Sequence, residues 1–197
     1  MRATPLLALA LLLSSSLVVV QGGQGDAIRE AIALGLTHDD ALFESFNKSY
    51  SLSPSGTIDS AEIITEFRRG VLIVRERAPL RNGFSQDDLA KALTPFKGLV
   101  TFIVQARLHP LNTFIREPAY DLYISTGPRS PPLAPKVLKR DPVYPGGAAM
   151  GTGMIAVRLE VSFPRAEIER VRSPMLIVTD DKAEVLWQAR VDLSRYR

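Results

Sequence analysis

The 197-residue chain contains no cysteine and only two histidines. Without thiols it cannot form disulfides, thiolate zinc sites or iron–sulfur clusters, and it has no cysteine nucleophile. The sequence also lacks the G-x-S-x-G nucleophile motif, the P-loop and the G-x-G-x-x-G dinucleotide fingerprint. These absences exclude several enzyme classes. We predict no cofactor, no metal ion and no catalytic residue from the sequence.

Charge shows little bias to either sign. The chain has 24 Lys and Arg against 21 Asp and Glu, a net charge of +3. A nucleic-acid-binding domain is expected to carry a concentrated basic stripe with interleaved aromatic residues, so nucleic acid is not a predicted partner. Apolar residues make up 46% and charged residues 23%, which is typical of a folded domain with a sizeable core.

The only long apolar run lies at the N-terminus and follows Arg2. Its densest part, residues 6–13, is shorter than the roughly 20 residues that a membrane-spanning helix requires. Arg2, the leucine-rich segment and the small-x-small pattern at 20–22 match the basic, apolar and cleavage regions of a secretory signal. We predict that residues 1–22 are a cleaved signal peptide and that the mature chain begins near Gly23.

Export would place the mature protein in the periplasm or outside the cell. Because no cysteine follows the apolar run, the chain is not predicted to carry a lipid anchor on cysteine. Cleavage after Ser16 or Gly25 also fits the pattern. A signal that is not cleaved would instead tether the domain to a membrane.

Apolar residues at helical spacing dominate residues 23–97. Two short helices are predicted within residues 26–46 and two more within residues 65–93. Capping residues mark the predicted helix starts: Thr37 with Asp40, Thr65, and Ser85 with Asp88. Residues 58–64 are ambiguous, with a strand as one interpretation.

After Gly98 the apolar period changes to two, which indicates half-buried strands. The predicted strands cover residues 99–108, 119–125, 154–163, 175–179 and 184–193. The intervals leave no room for helical crossovers, so the sheet is predicted to be antiparallel. We therefore predict an α+β fold. A mainly helical part (23–97) precedes an antiparallel β part (98–197) of five to seven strands arranged as a sandwich, and both belong to one compact domain.

A proline-rich stretch interrupts the strand pattern at residues 126–153, which contain six prolines. Proline removes backbone donors that a central strand needs, so this stretch is predicted to be a long, partly extended loop. Such loops suit recognition of a partner. The loop carries four basic residues before its first acidic residue: Arg129, Lys136, Lys139 and Arg140.

Two adjacent arginines, Arg68 and Arg69, fall near the start of the helix that Thr65 caps, where cations oppose the helix dipole. One interpretation is a clamp for an anion, because guanidinium groups bind carboxylates and phosphates bidentately. The other is compensation by Glu62, by Glu66 or by a carboxylate from another element.

The remaining polar motifs are weaker. His109 ends a strand and is kept as a candidate partner-binding residue. Asp39 and Asp40, beside His38, are interpreted as helix-start residues, and the pair at 180–181 as a hairpin turn, rather than as metal ligands.

These patterns favour an exported, non-enzymatic binding or envelope-assembly module. Its expected partner is an envelope protein, a polysaccharide or an anionic surface. The alternative is a small envelope hydrolase or carbohydrate-active enzyme, which would need two carboxylates about 5–10 Å apart. Its candidate acids are Asp121, Glu160 and Asp192, although each is predicted to point outward between apolar neighbours.

Overall fold

A computed structural model describes residues 18–77, 84–109, 118–145 and 153–197, with side chains from residue 25 onward. Most of the predicted signal peptide, residues 1–17, lies outside these ranges, as does the glycine-rich stretch at 146–152. Five helices and eight strands are present in the described residues. The predicted α+β fold class is confirmed.

The helices lie mainly in the first half of the chain. They are α1 (Val18–Gly35), α2 (Asp40–Ser49), α3 (Glu66–Arg77), α4 (Gln86–Leu93) and α5 (Arg165–Glu169). Ser85 caps α4 through a complete capping box with Asp88, and the Thr65 hydroxyl accepts from the Arg68 backbone at the start of α3. Both caps agree with the sequence prediction.

The strands form two antiparallel sheets. They are β1 (Ser51–Leu52), β2 (Ile58–Ile64), β3 (Leu99–Arg107), β4 (Asp121–Ser125), β5 (Val137–Val143), β6 (Ala156–Pro164), β7 (Met175–Thr179) and β8 (Val185–Arg190). The first sheet has the order β1-β2-β3-β6-β5 and the second has the order β4-β7-β8. Two strands of the first sheet, β1 and β2, come from the part of the chain before residue 98.

The two sheets enclose the larger of two apolar cores. The period-two residues of β3 and β6 supply its centre, with Phe102 and Phe163 in edge-to-face contact at 5.9 Å between ring centroids. Leu122, Leu176 and Trp187 contribute to the same core from the second sheet. Alternation of apolar and polar residues therefore reflects one buried face per strand.

The smaller core joins α1, α3 and α4, and its buried residues include Ala31, Val71 and Leu89. α1 and α3 approach closely at Gly35, where a Cβ atom would lie 2.6 Å from the Cβ of Val74. Phe46 packs against both cores and links them.

Two local predictions are wrong. The cap of α2 is Asp39, whose carboxylate accepts from the Leu42 backbone at 2.9 Å; Thr37 does not cap the helix. The proline-rich stretch is not a loop throughout, because β5 pairs with β6 over its whole length and includes Pro142. β5 lies at the edge of its sheet, where a missing backbone donor is tolerated.

Candidate functional site

Arg68 is a buried residue of α3 with only 3% of its surface exposed. Its guanidinium donates to the Ile63 carbonyl at 2.8 Å and to Glu62 Oε2 at 2.6 Å, and lies 5.3 Å from the centre of the Tyr50 ring. Its Nε atom is buried without a partner in the described part of the chain. Arg68 therefore ties α3 to the end of β2.

Arg69 reaches different elements. It donates to Thr101 Oγ1 at 2.9 Å, lies 3.9 Å from Glu160 Oε1, and stacks 4.0 Å from the centre of the Phe96 ring. Burial lowers the pKa of Arg69, and the Glu160 carboxylate opposes that shift. The two arginines do not share a site, because they contact different carboxylates.

The four basic residues of the proline-rich stretch are not gathered at one place either. Arg140 donates to the Tyr120 carbonyl at 2.7 Å and to Asp121 at 2.6 Å, which joins β5 to the second sheet. Lys139 is paired in register with Glu160 on the other face of β5. Arg129 and Lys136 are exposed in the segment that precedes β5.

The remaining predicted residues lie just after β3 and in the turn between β7 and β8. His109 is exposed just after β3. Asp180 accepts from the backbone of Lys182 and Glu184, which forms the predicted turn between β7 and β8. No group of three or more His, Asp or Glu among the described residues is arranged to hold a metal ion.

The three candidate acids of the hydrolase alternative occupy separate places. Asp121 lies in register with Thr179, at the turn end of the second sheet. Asp192 follows β8 at the other end of that sheet. Glu160 lies beside Arg69, on the face of the first sheet that is turned away from the main core. No two of these acids share a cleft.

A cleft that the sequence did not predict lies between α5 and the segment that follows β8. Its volume is about 300 Å³, at the lower end of the range for small-ligand sites. Its apolar lining residues include Ile168, Val191 and Leu193, which are buried and present little surface to the cleft. Its charged lining residues are Glu169, Arg172, Arg190 and Asp192.

Hydrogen bonds hold both walls of this cleft in place. Arg165 donates to Glu169 at 2.7 Å and to the carbonyls of Leu193 and Tyr196, so it fastens α5 to the segment after β8. The Val191 backbone donates to Pro174 at 2.9 Å. A site with fixed walls loses little conformational freedom when a ligand binds.

Asp192 is held by Ser194 through one of its carboxylate oxygens. Its carboxylate accepts from the Ser194 hydroxyl at 2.6 Å and from the Ser194 backbone at 3.2 Å. The hydroxyl bond is the main cause of a lowered pKa of Asp192, and the nearby charges of Arg195 and Arg190 add to it. Asp192 is therefore ionised at neutral pH.

One feature of the sequence could have predicted this cleft, although the alternation of apolar and polar residues does not. The segments 165–172 and 190–197 are each rich in arginine, but 17 residues separate them along the chain. The β7–β8 hairpin, in which Met175 is in register with Arg190, folds the two segments together. Reading that hairpin register from the sequence would have predicted their contact.

Comparison with protein-family models, with curated proteins and with solved structures finds no match for this chain. Among the described residues, no helix is long and apolar enough to cross a membrane.

Proposed function

We propose that this chain is an exported, non-enzymatic binding module that holds a small ligand in the cleft beside α5. The observation that carries the proposal is the cleft itself, which is lined by two arginines, two carboxylates and several apolar residues. Concave sites with apolar walls and a few convergent polar groups are the usual form of ligand sites.

The N-terminal sequence supports the export part of the proposal. Residues 1–22 have the three regions of a secretory signal. Among the residues of α1 whose side chains are described, those that pack on the helical core, such as Ile28, Ala31 and Ile32, follow the proposed cleavage point. Cleavage before Gly23 would therefore leave these packing residues in the mature chain.

A carboxylate-dependent hydrolase is the second candidate, and one observation favours it: Glu169 and Asp192 both line the cleft. Such an enzyme needs one carboxyl group that carries a proton at working pH. The lowered pKa of Asp192 makes it unsuitable as that acid, and Glu169 is engaged by Arg165 at 2.7 Å. Binding therefore remains the first proposal.

The test is mass spectrometry of the protein recovered from its native host, under denaturing and native conditions. We expect a chain that begins near Gly23 and a native mass that exceeds it by one small molecule. A double variant, Arg172→Gln with Arg190→Gln, should lose that molecule. Arg77→Gln, at the exposed end of α3, is the matched control and should retain it.

Two outcomes would count against the proposal. A chain that begins at Met1 would contradict export and indicate a tethered domain. A bare native mass for the unaltered protein would contradict a resident ligand, and the same preparation should then be assayed for hydrolysis with Asp192→Asn as the diagnostic variant.

A further inference from the structure

A second pocket lies in the helical part of the molecule, between α1, α3 and α4. Its volume is about 190 Å³, and none of its lining residues in the described part of the chain lines the cleft beside α5. A cavity of comparable volume with apolar walls can hold one molecule the size of benzene. The volume of this pocket therefore restricts a ligand to about one six-membered ring.

Apolar side chains supply nearly all of the surface that the pocket offers to a ligand. Ala27, Ile28 and Phe67 are only partly buried, so they present surface that a ligand can cover. Ala31 and Leu93 are buried and complete the apolar lining. Removal of exposed apolar surface from water is favourable, and a ligand with an apolar body would provide it.

The two charged residues of the pocket already have partners. Arg197 donates to Glu30 at 2.6 Å, and its guanidinium lies 5.1 Å from the centre of the Phe67 ring. Glu66 Oε2 accepts from the Gly98 backbone at 3.3 Å. The charges of Arg197 and Glu66 are opposite and sum to zero, so the pocket favours neither an anion nor a cation through its net charge. An uncharged ligand leaves both pairings in place.

Arg197 borders the pocket on its solvent side. The side chains of Arg197 and Glu30 are 64% and 50% exposed, and an ion pair so accessible to water contributes little to stability. The Arg197 side chain can therefore shift when a ligand enters. Its aliphatic stem can then cover the apolar body of the ligand while the guanidinium stays in water.

We infer that this pocket binds a small uncharged apolar molecule, about the size of one six-membered ring, with Arg197 as a movable cover. The inference does not depend on the proposed function, because the pocket and the cleft beside α5 have different lining residues.

The test is a titration of the full mature protein, followed by nuclear magnetic resonance of backbone amides. Benzyl alcohol is the uncharged ring probe, benzoate and benzylamine carry opposite charges on the same ring, and glycerol has no apolar body. We expect benzyl alcohol to shift the amides of Ile28 and Phe67 and to bind at least about tenfold more tightly than glycerol. It should also bind more tightly than either charged probe, since burial of a charge is unfavourable without a free partner.

A filled pocket should no longer bind the ring. Ala27→Leu places a larger apolar side chain in the pocket and should weaken benzyl alcohol at least about tenfold. Ala33→Leu adds the same side chain at an exposed position of α1 that does not line the pocket, and is the matched control. It should leave the affinity unchanged.

A second pair of variants tests the cover without filling the pocket. Arg197→Ala removes the aliphatic stem and should weaken benzyl alcohol about threefold, because one side of the ring then stays in water. Arg195→Ala removes an exposed arginine that does not line the pocket, and should have no effect.

Several results would overturn the inference. Benzoate or benzylamine that binds more tightly than benzyl alcohol would show that the pocket selects a charge. Benzyl alcohol that binds Ala27→Leu as well as the unaltered protein, or that moves no amide of the pocket, would reject the site. A dimer that Ala27→Leu dissociates would make a second copy of this chain the occupant. A ligand in the cleft beside α5 would instead move amides such as those of Val171 and Ser194, so the proposed function is tested separately.

Discussion

Gly35 is the residue at which the two main helices of the smaller core come closest. A Cβ atom there would lie 2.6 Å from the Val74 Cβ and 2.8 Å from the Val71 carbonyl oxygen. Alanine normally stabilises a helix relative to glycine by about 1 kcal/mol. At this position overpacking outweighs that gain, and Gly35→Ala is expected to lower the free energy of unfolding by about 1–3 kcal/mol.

The matched control for this change is in the same helix. A Cβ atom at Gly25 would meet nothing within 4 Å, so Gly25→Ala should leave the free energy of unfolding unchanged or raise it by up to about 1 kcal/mol. Urea unfolding of both variants shows whether each substitution raises or lowers the free energy of unfolding. A stabilised Gly35→Ala protein would show that α1 and α3 do not approach as described.

Arg68 is expected to matter for stability rather than for binding. Arg68→Ala removes the hydrogen bonds to Ile63 and Glu62 and leaves a void beside Tyr50, and it should cost about 2–4 kcal/mol in urea unfolding. The exposed Arg129→Ala is the control and should change stability by less than about 0.5 kcal/mol. If Arg68→Ala left stability unchanged but abolished binding of an anion, the interpretation of Arg68 as part of an anion clamp would be supported instead.

Ionisation of the Tyr50 phenol is expected to make the stability of the fold depend on pH in the alkaline range. Burial raises its pKa above 10.0, and this outweighs the lowering by the Thr65 hydrogen bond and by Arg68. The folded chain therefore keeps the phenolic proton to a higher pH than the unfolded chain. The stabilisation is fully present below pH 10 and is lost as the pH rises through the pKa of the folded state.

The measurement is the urea midpoint between pH 8 and pH 11. We expect the unaltered protein to lose more stability over this range than Tyr50→Phe, which cannot ionise there. Parallel curves for the two proteins would show that the Tyr50 phenol is not protected by the fold.

At the scale of elements, β5 shows how a strand can carry the composition of a loop. Its free edge holds Lys139 and Pro142, and both residue types discourage pairing with a further strand. We predict that Lys139→Val combined with Pro142→Val makes the protein associate with itself through β5, detected by sedimentation velocity. Lys91→Val on the exposed face of α4 adds a similar apolar surface without a strand edge, and should leave a monomeric protein monomeric.

The same element explains part of what the sequence could predict. Strands with one buried face, such as β6, were predictable because Val157, Leu159, Val161 and Phe163 alternate with more polar residues. β5 was not, since its residues are exposed or half-buried and no face of it is continuously apolar. The signal that defines β5 is its hydrogen bonding to β6, which depends on tertiary structure.

The cap of α2 was missed for a related reason. Thr37 and Asp39 both precede the helix and both are good capping residues. Arg75, from α3, donates to the Thr37 carbonyl and to Asp40 at 2.7 Å. That contact spans 35 or more residues, and local spacing contains no information about it.

At the scale of the whole molecule, two cores are joined through Phe46, and the smaller one depends on α1. A chain that begins at Gly23 should melt within a few degrees of the full chain, because it keeps Ala31 and Ile32. A chain that begins at Leu36 loses both residues and exposes Val71 and Val74. It should melt at least about 10 °C lower, at roughly 2–4 °C for each kcal/mol lost.

Thermal unfolding followed by circular dichroism makes the comparison. A chain from Leu36 that melts with the full chain would mean that the smaller core adds no stability to the sandwich. A chain from Gly23 that fails to fold would mean that residues 1–22 belong to the domain, which would also weigh against their removal as a signal.

The close approach of α1 and α3 also offers a way to recognise distant homologues of this protein. Ala31 and Gly35 stand one helical turn apart, as do Gly70 and Val74, and a Cβ atom at Gly70 would lie 3.4 Å from that of Ala31. A side chain larger than alanine at 31, 35 or 70 would push the helices apart. A sequence profile can require small residues at these spacings, followed by several strands in which apolar and polar residues alternate. Such a profile should find chains with this architecture even where overall sequence identity is low.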